Sequence, residues 1–296
     1  MANEMKVHLF QVHTLEGESR LEDLLEAISI HPLDQRVRTI GHQDIRLEYI
    51  APPRSRSNPS PYWLMDFTRM RFENGPGKIS RDDPIEAFDL GDEDGFGEET
   101  AVLFDPVTQH MLIQYNHNGA RAGKIEEYLC CYDGAIVGKY SLHVVLDRSA
   151  TARLSQKAII NKLHFKVAPP RITASQRNNN VSLQRAVELA DNLDGETVEV
   201  IISARNGRLN MGRVQSAIRS LTRMVPDGDD FDNGALRTFK VSGKNHVNDV
   251  SDEINMLLSK EEVTIDGLQL GQGLRFTQAS RWDGLLRARR GWNSIL

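Results

Sequence analysis

Cysteine is almost absent from this chain. Among 296 residues there are two cysteines, Cys130 and Cys131, and they are adjacent. Adjacent cysteines have poor geometry for an ordinary disulfide. With no third or fourth thiol there is also no thiolate zinc site. The sequence therefore excludes a disulfide framework and a cysteine zinc finger.

Long apolar runs are missing as well. No stretch approaches the length that crosses a bilayer, and the first residues, MANEMKVHLFQV, lack the basic segment and apolar core of a secretory signal. Hydrophobic residues make up 40% and charged residues 26% of the chain, as in soluble globular proteins. We expect a cytoplasmic protein without direct membrane insertion.

The motifs of common nucleotide enzymes are absent too. None of the Gly-Lys pairs has the spacing of a GxxxxGK[ST] loop, and after Gly271 and Gly273 the third position of GxGxxG is Phe276. No GxSxG nucleophile elbow occurs. The sequence predicts no cofactor, and it favours a binding role while leaving catalysis open.

Metal and histidine chemistry find little support. Glu98, Glu99 and Asp105 flank a predicted strand, but no spacing marks them as ligands for a metal-dependent nuclease. His117, within Asn-His-Asn-Gly, is a candidate for catalysis, although turn chemistry explains this tetrapeptide better. We predict no metal site.

Aromatic residues account for only 6% of the chain and do not alternate with its basic loops. Proteins that bind single strands by stacking bases need aromatic side chains on the binding surface. The composition therefore disfavours a base-stacking platform.

Charge, in contrast, is abundant and unevenly distributed. Residues 81–99 carry nine carboxylates and one arginine, whereas residues 271–296 carry five arginines and one aspartate. The two stretches either contact each other, within the chain or between subunits, or form a solvated loop and a basic tail. The second interpretation is favoured because charge runs usually lie in solvent.

Hydrophobic periodicity predicts a mixed α/β or α+β fold. Residues 1–149 form a strand-rich mixed domain, in which Ser19 and Glu22 have the spacing of a helix capping box. Residues 150–296 alternate strands and helices, which suggests parallel pairing for the middle strands. Short connections near the end also suit an antiparallel arrangement.

Four basic loops each follow a predicted strand in this second half. If the strands were parallel, all four loops would open at one edge, close to helix N-termini that attract phosphate groups. The sequence thus predicts a nucleic-acid or phosphate site, with DNA favoured over RNA. The predicted site residues are Arg171, Arg177, Arg205, Arg208, Arg213, Lys244 and Arg275.

The final predicted helix has a different role. Phe276, Ala279, Trp282 and Leu286 fall on one helical face, and the arginines scatter around it instead of gathering as in a groove-binding helix. We predict a docking or oligomerisation element. Its predicted contact residues are Trp282, Arg287, Arg289 and Arg290.

The segments GEETAVLFDP (97–106) and QYNHNG (114–119), followed by a short helix and an arginine-rich end, resemble uncharacterised bacterial proteins of about this size. In size and two-part layout the chain is also similar to KwaB, the cytoplasmic component of the Kiwa anti-phage system. The resemblance implies a bacterial defence role with nucleic acid, oligomerisation and a partner protein, and it carries over no catalytic residue.

Three hypotheses follow. The first is a bacterial nucleic-acid-binding or sensing protein that acts as an oligomer with a partner protein. The second is a metal-dependent nuclease with an unrecognised active site. The third is a non-catalytic structural protein whose acidic loop and arginine-rich tail join subunits.

Overall fold

The computed structural model describes most of the chain. The described residues are 3–73, 75–132, 134, 136, 138–169, 172, 184, 187–190, 192–204, 207–225, 235–294 and 296.

Within these residues, twelve strands form two antiparallel sheets. The large sheet contains Met5–Thr14 (β1), Val37–Ile40 (β2), Gln43–Ala51 (β3), Trp63–Arg71 (β4), Phe96–Asp105 (β5), His110–Tyr115 (β6), Tyr140–Val144 (β7) and Glu262–Ile265 (β12). The small sheet contains Ile159–Val167 (β8), Val198–Ser203 (β9), Leu236–Lys244 (β10) and Asp252–Asn255 (β11).

The α-helices of the described residues lie between or after these strands. The complete ones are Leu21–Ser29 (α1), Ala122–Tyr132 (α2), Arg148–Ser155 (α3), Met211–Thr222 (α4) and Gln278–Gly291 (α5); residues 187–190 are helical as well. Short 3₁₀ helices occupy Leu33–Arg36, Met256–Leu258 and Gln272–Leu274. None of the described helices is long and apolar enough to cross a membrane.

The large sheet has the order β12-β1-β6-β5-β4-β3-β2. Strand β12 pairs with the first half of β1, and β7 pairs with its second half. Alternate residues of β1 serve opposite faces: Phe10 and Val12 belong to one apolar cluster, and Met5, Val7 and Leu9 to another. Both faces are therefore buried, which explains why its central strands are apolar along most of their length.

Helices α1 and α2 contribute to the first cluster. Leu21, Leu24, Leu25 and Ile28 of α1 are all buried, as their spacing predicts. Helix α1 begins at Leu21 with Arg20 as its N-cap, and Asp23 accepts a hydrogen bond from the Arg20 amide. The capping pair is thus one residue later than Ser19 and Glu22.

Helix α5 covers the opposite face. Gly284 lets it approach the sheet closely, since a Cβ atom there would lie 2.4 Å from Cε of Met5. The buried stripe of the helix is Arg281, Gly284, Leu285, Ala288, Arg289 and Trp292. Two arginines therefore replace apolar residues in a stripe with ordinary helical spacing.

The small sheet has the order β11-β10-β8-β9. Its inner face, including Leu163, Phe165, Phe239 and Val241, and the buried side of α4 join the same apolar core as α1 and α2. No described helix or strand packs on its other face, which we call the open face.

The predicted mixed α/β class is confirmed, with a strand-rich first half and further strands and helices in the second. Parallel pairing of the middle strands is wrong, because β8 is antiparallel to both β9 and β10. The division into domains at residue 149 stays a prediction. Strand β12 and helix α5 return to the large sheet.

Candidate nucleic-acid interface

Alternate residues of β8 form the centre of the open face. Leu163, Phe165 and Val167 are buried, so Lys162, His164 and Lys166 point away from the core. A β-bulge between Ser242 and Gly243 of the paired strand marks where this alternation starts.

Neighbouring strands extend this face through their register. Lys162, His164 and Lys166 stand opposite Ser203, Ile201 and Glu199 of β9. On the other side, Lys162 and His164 stand opposite Ser242 and Lys240 of β10. The open face therefore presents three lysines, one histidine and hydroxyl groups.

Carboxylates neutralise part of this charge. His164 Nε2 lies 2.7 Å from Glu199 Oε1, and Lys240 Nζ lies 2.8 Å from Glu253 Oε1. The Glu253 pKa is lowered, first by its bond from Lys240 and also by the nearby Lys162 and His164. Lys162 and Lys166 form no ion pair with another described side chain.

Beyond the open face lies a basic rim made of Arg208, Arg213 and Lys244. Lys244 is paired in register with Ile159, and the amide of Leu209 donates to the Ile160 carbonyl at 2.7 Å. The loop after β9 and the end of β10 thus meet at the start of β8. Arg208 and Arg213 are exposed, and none of the three cations is ion-paired to another described residue.

Local structure fixes this rim. The Asn210 side chain accepts a hydrogen bond from the Arg213 amide at 3.1 Å and caps α4. Gly243 is needed beside Lys244, since a Cβ atom there would lie 2.4 Å from the Ile159 carbonyl oxygen. The cations consequently project from an ordered strand end and helix start.

A polar groove of about 540 Å³ lies at this end of the open face. It crosses all four strands and is lined by Asn161, Lys162, Ser203, Ala204, Gly207, Ser242, Ser251, Asp252 and Glu253. Asp252 is held by Lys157 and by Arg153, 3.0 Å away, and these bonds lower its pKa. The groove thus offers hydroxyl and amide groups beside Lys162.

The structure unites only part of the predicted site. Because β8 runs against β9 and β10, the loop after β8 starts at the opposite end of the sheet. Arg171, Arg177 and Arg205 lie outside the described residues. Two of the four basic loops, those after β9 and β10, therefore share an edge, and the prediction of one common edge is wrong.

Arg275 belongs to the large sheet. Its Nη2 atom lies 2.9 Å from Glu99 Oε2 and donates to the Gly97 carbonyl at 3.0 Å. Glu99 also accepts from Arg281. The acidic stretch and the arginine-rich tail thus contact each other within the chain at this point, and Arg275 is not part of the rim.

The arginines of α5 are mostly engaged inside the molecule. Arg289 is buried and donates to Asp105 Oδ2 at 2.9 and 2.7 Å, which corrects its prediction as a partner contact. Arg287 pairs with Asp266 and Asp283. Trp282 is half-buried and packs against the apolar cluster under the helix. Arg290 is exposed.

The predicted apolar face of α5 is also displaced. The periodicity of Phe276, Ala279, Trp282 and Leu286 suggested the docking side, but the buried stripe includes Arg281 and Arg289. Hydrophobic periodicity misplaces the buried face of such a helix, because it assigns every arginine to the solvent side whether the residue is buried or exposed.

Two buried pairs anchor this helix. Asp66 Oδ1 accepts from Arg281 Nη2 at 3.0 Å, yet burial raises the pKa of Asp66 to about 6. Asp105 is also affected by burial, but hydrogen bonds from Arg289 and from the amides of Val107 and Thr108 hold its pKa below the usual value. The deeper burial of Asp66 and the additional hydrogen bonds to the charged form of Asp105 together explain the difference.

Each carboxylate named in the nuclease hypothesis lies next to an arginine side chain. Glu98 lies 3.6 Å from Arg71, Glu99 is bound by Arg275 and Arg281, and Asp105 by Arg289. Across the described part of the chain, no three His, Cys, Asp or Glu side chains are arranged to hold a metal ion. The other candidate, His117, is exposed and its Nδ1 lies 2.9 Å from Arg121.

Sequence reasoning missed Lys162, Lys166 and Lys240. The signal was available in IINKLHFKV, where lysine and histidine alternate with apolar residues. Sequence reasoning also did not predict that the pairing of β1, β6 and β7 brings three histidines together, namely His13, His110 and His143.

Comparison with known proteins gives a family and no activity. Residues 11–266 match the model of DUF6731, a family of unknown function. The matched range includes both sheets except the start of β1, and it ends before α5. No curated protein matches the sequence.

Proposed function

This chain belongs to the DUF6731 family of unknown function, and we propose that it binds nucleic acid through the open face and basic rim of its small sheet. The observation that carries this proposal is the continuity of Lys162, Lys166 and Lys240 with Arg208, Arg213 and Lys244. All six cations lie on one face or one end of a single sheet.

The ligand contacts in this proposal are phosphates. Affinity comes from neutralising the backbone and releasing counterions, and specificity for base sequence is low. The open face carries Ile201 and His164 but no Phe, Tyr or Trp among its described residues, so base stacking contributes little. Duplex DNA is the expected ligand because its phosphate density is high and its recognition needs no stacking platform.

The resemblance to the Kiwa component adds the proposal of a role in bacterial anti-phage defence. In this proposal the protein is cytoplasmic and acts as an oligomer with a partner protein. Arg290 and Trp282 stay candidates for such contacts, since one is exposed and the other half-buried.

The test is fluorescence anisotropy of the purified protein with duplex DNA, single-stranded DNA and RNA across a salt series. We expect binding of duplex DNA that weakens steeply with salt. The triple variant Arg208→Glu, Arg213→Glu and Lys244→Glu should weaken binding about tenfold or more, and lower the log–log salt slope by about one per lost phosphate contact.

The triple variant Arg54→Glu, Arg56→Glu and Arg81→Glu is the matched control, because it makes the same charge change at three exposed arginines outside the small sheet. It should leave the affinity within about twofold of the unchanged protein. Absence of DNA binding at low salt, or equal weakening by the control variant, would overturn the proposed surface.

A further inference from the structure

A second cleft lies at the other sheet, where β6, β1 and β7 run side by side. It has a volume of about 580 Å³ and is bounded by the sheet, by α3 and by the end of α4. Its polar lining includes Gln11, His110, His143, Arg148, Ser155 and Thr222. We call it the histidine cleft.

Strand register brings its imidazole rings together. Gln11 of β1 is paired with His110 of β6 on one side and with His143 of β7 on the other, so the three side chains share a face. The ring of His13, two residues further along β1, lies 4.1 Å from the ring of His143 between centroids. Residues far apart in sequence thus form one polar wall.

One ring is held by a hydroxyl group. His143 Nε2 lies 3.1 Å from Ser141 Oγ, and its other ring nitrogen forms no hydrogen bond with a described residue. Burial, with smaller contributions from the neighbouring His13 and Arg223, lowers the pKa of His143 to about 3. Burial also lowers the pKa of His110. These rings are neutral at pH 7, and each has one N–H donor. The N–H of His110 bonds the Thr108 backbone, so His143 is the ring that offers a donor to a ligand.

Among the described residues, Arg148 is the charged side chain that lines the cleft, and no carboxylate does so. Asp105 lies close enough to His110 to affect its pKa. The nearest acidic groups are engaged elsewhere: Asp105 binds Arg289, and Asp147 caps α3 through the Ala150 amide. The cleft therefore offers a guanidinium, an imidazole, hydroxyls and an amide to an acceptor-rich anion.

The rest of the wall is apolar. Val144, Leu146 and Ala152 line the cleft beside the polar groups. A lone inorganic anion would leave this surface uncovered. A ligand with an anionic end and an apolar or aromatic body suits both parts, and the volume falls in the range of small-molecule sites.

We propose that the histidine cleft binds a small phosphate monoester of nucleotide size, with Arg148 and the imidazole of His143 as donors to the phosphate group and His110 as part of the wall beside it. This site is separate from the basic rim and does not rest on the nucleic-acid proposal. A phosphate has enough acceptor oxygens for a guanidinium and a ring N–H group at once.

The test is an NMR titration of histidine-labelled protein with adenosine monophosphate. The signals of His110 and His143 are assigned through His110→Gln and His143→Gln. We expect both signals to shift saturably, with adenosine at least about tenfold weaker because it lacks the charge-assisted contacts. Arg148→Gln should weaken the monophosphate about tenfold as well.

Arg56→Gln is the control, since it removes one exposed positive charge from the segment between β3 and β4, which contributes no residue to the cleft. Its titration should match that of the unchanged protein. Arg148 also donates to the Ser294 carbonyl, so thermal unfolding checks that Arg148→Gln is folded, and His143→Gln provides a second weakened variant. Signals unmoved by about 10 mM ligand, equal binding of adenosine, or normal binding by folded Arg148→Gln would each overturn the proposal.

Discussion

The large sheet is covered by helices on both faces, whereas the small sheet leaves one face without a described covering element. The parts of the chain that contain the two sheets also differ in net charge. Residues 148–255, which include the small sheet, carry 16 lysines and arginines against 12 aspartates and glutamates, a net charge of +4. The remainder carries 20 against 29, a net charge of −9.

The difference shows where charge is structural and where it is available. On the large sheet, Arg281 and Arg289 are buried against Asp66 and Asp105 and fix α5 to the sheet. On the small sheet, Lys162 and Lys166 are half-buried and form no ion pair with another described side chain. Basic side chains are therefore fixed by buried carboxylates in one region and lack such partners among the described residues of the other.

The largest expected effect comes from breaking a buried pair. Arg281→Met leaves Asp66 buried without its partner, so the free energy of unfolding should fall by about 3–5 kcal/mol, measured by urea denaturation. Asp66→Asn combined with Arg281→Met should recover part of this loss, because no buried charge remains. Equal losses in the single and double variants would contradict the pairing.

A smaller effect concerns pH. The raised pKa of Asp66, about 6, means that the native state binds this proton more readily than the unfolded chain. The stability of the protein relative to Asp66→Asn should therefore fall by about 2–4 kcal/mol as pH rises from about 4 to about 7. Unfolding free energies of both proteins across this range provide the measurement.

Asp105 supplies the opposite control. Since its pKa is lowered, its contribution is present above the unfolded pKa and is lost as pH falls through the folded value. Relative to Asp105→Asn, the protein should lose stability on acidification. Slopes of the same sign for both aspartates would show that their environments do not differ as described.

The smallest effect on stability is expected on the open face. Lys162→Gln and Lys166→Gln should each change the free energy of unfolding by less than about 1 kcal/mol, since neither side chain is fully buried or ion-paired to another described residue. The same variants should weaken DNA binding in anisotropy assays. A large loss of stability with unchanged binding would assign these lysines to packing and remove the contrast between the sheets.

Much of the local structure was predictable. The apolar stripe of α1, the strand β1, the β5–β6 hairpin and α2 follow from periodicity and turn chemistry. The relative direction of the strands was not predictable, because the periodicity within one strand does not show whether its neighbour runs parallel or antiparallel to it. The predicted common edge for all four basic loops failed for that reason.

The candidate site divides in the same way. Arg208, Arg213 and Lys244 were found because loops that follow strands and carry several cations stand out in the sequence. Lys162, Lys166 and Lys240 were missed, although alternation in β8 marks the two in that strand. The grouping of His13, His110 and His143 depends on register between distant strands, which no local pattern encodes.

The amino-acid sequence alone determined the mixed α/β class, the scarcity of thiols and aromatic side chains, and the separation of acidic and basic stretches. These follow from composition and local periodicity. The tertiary structure decided which arginines are buried, which lysines share the open face and which histidines line one cleft. Those outcomes depend on antiparallel register and on the docking of α5, because both join residues that lie far apart in the chain.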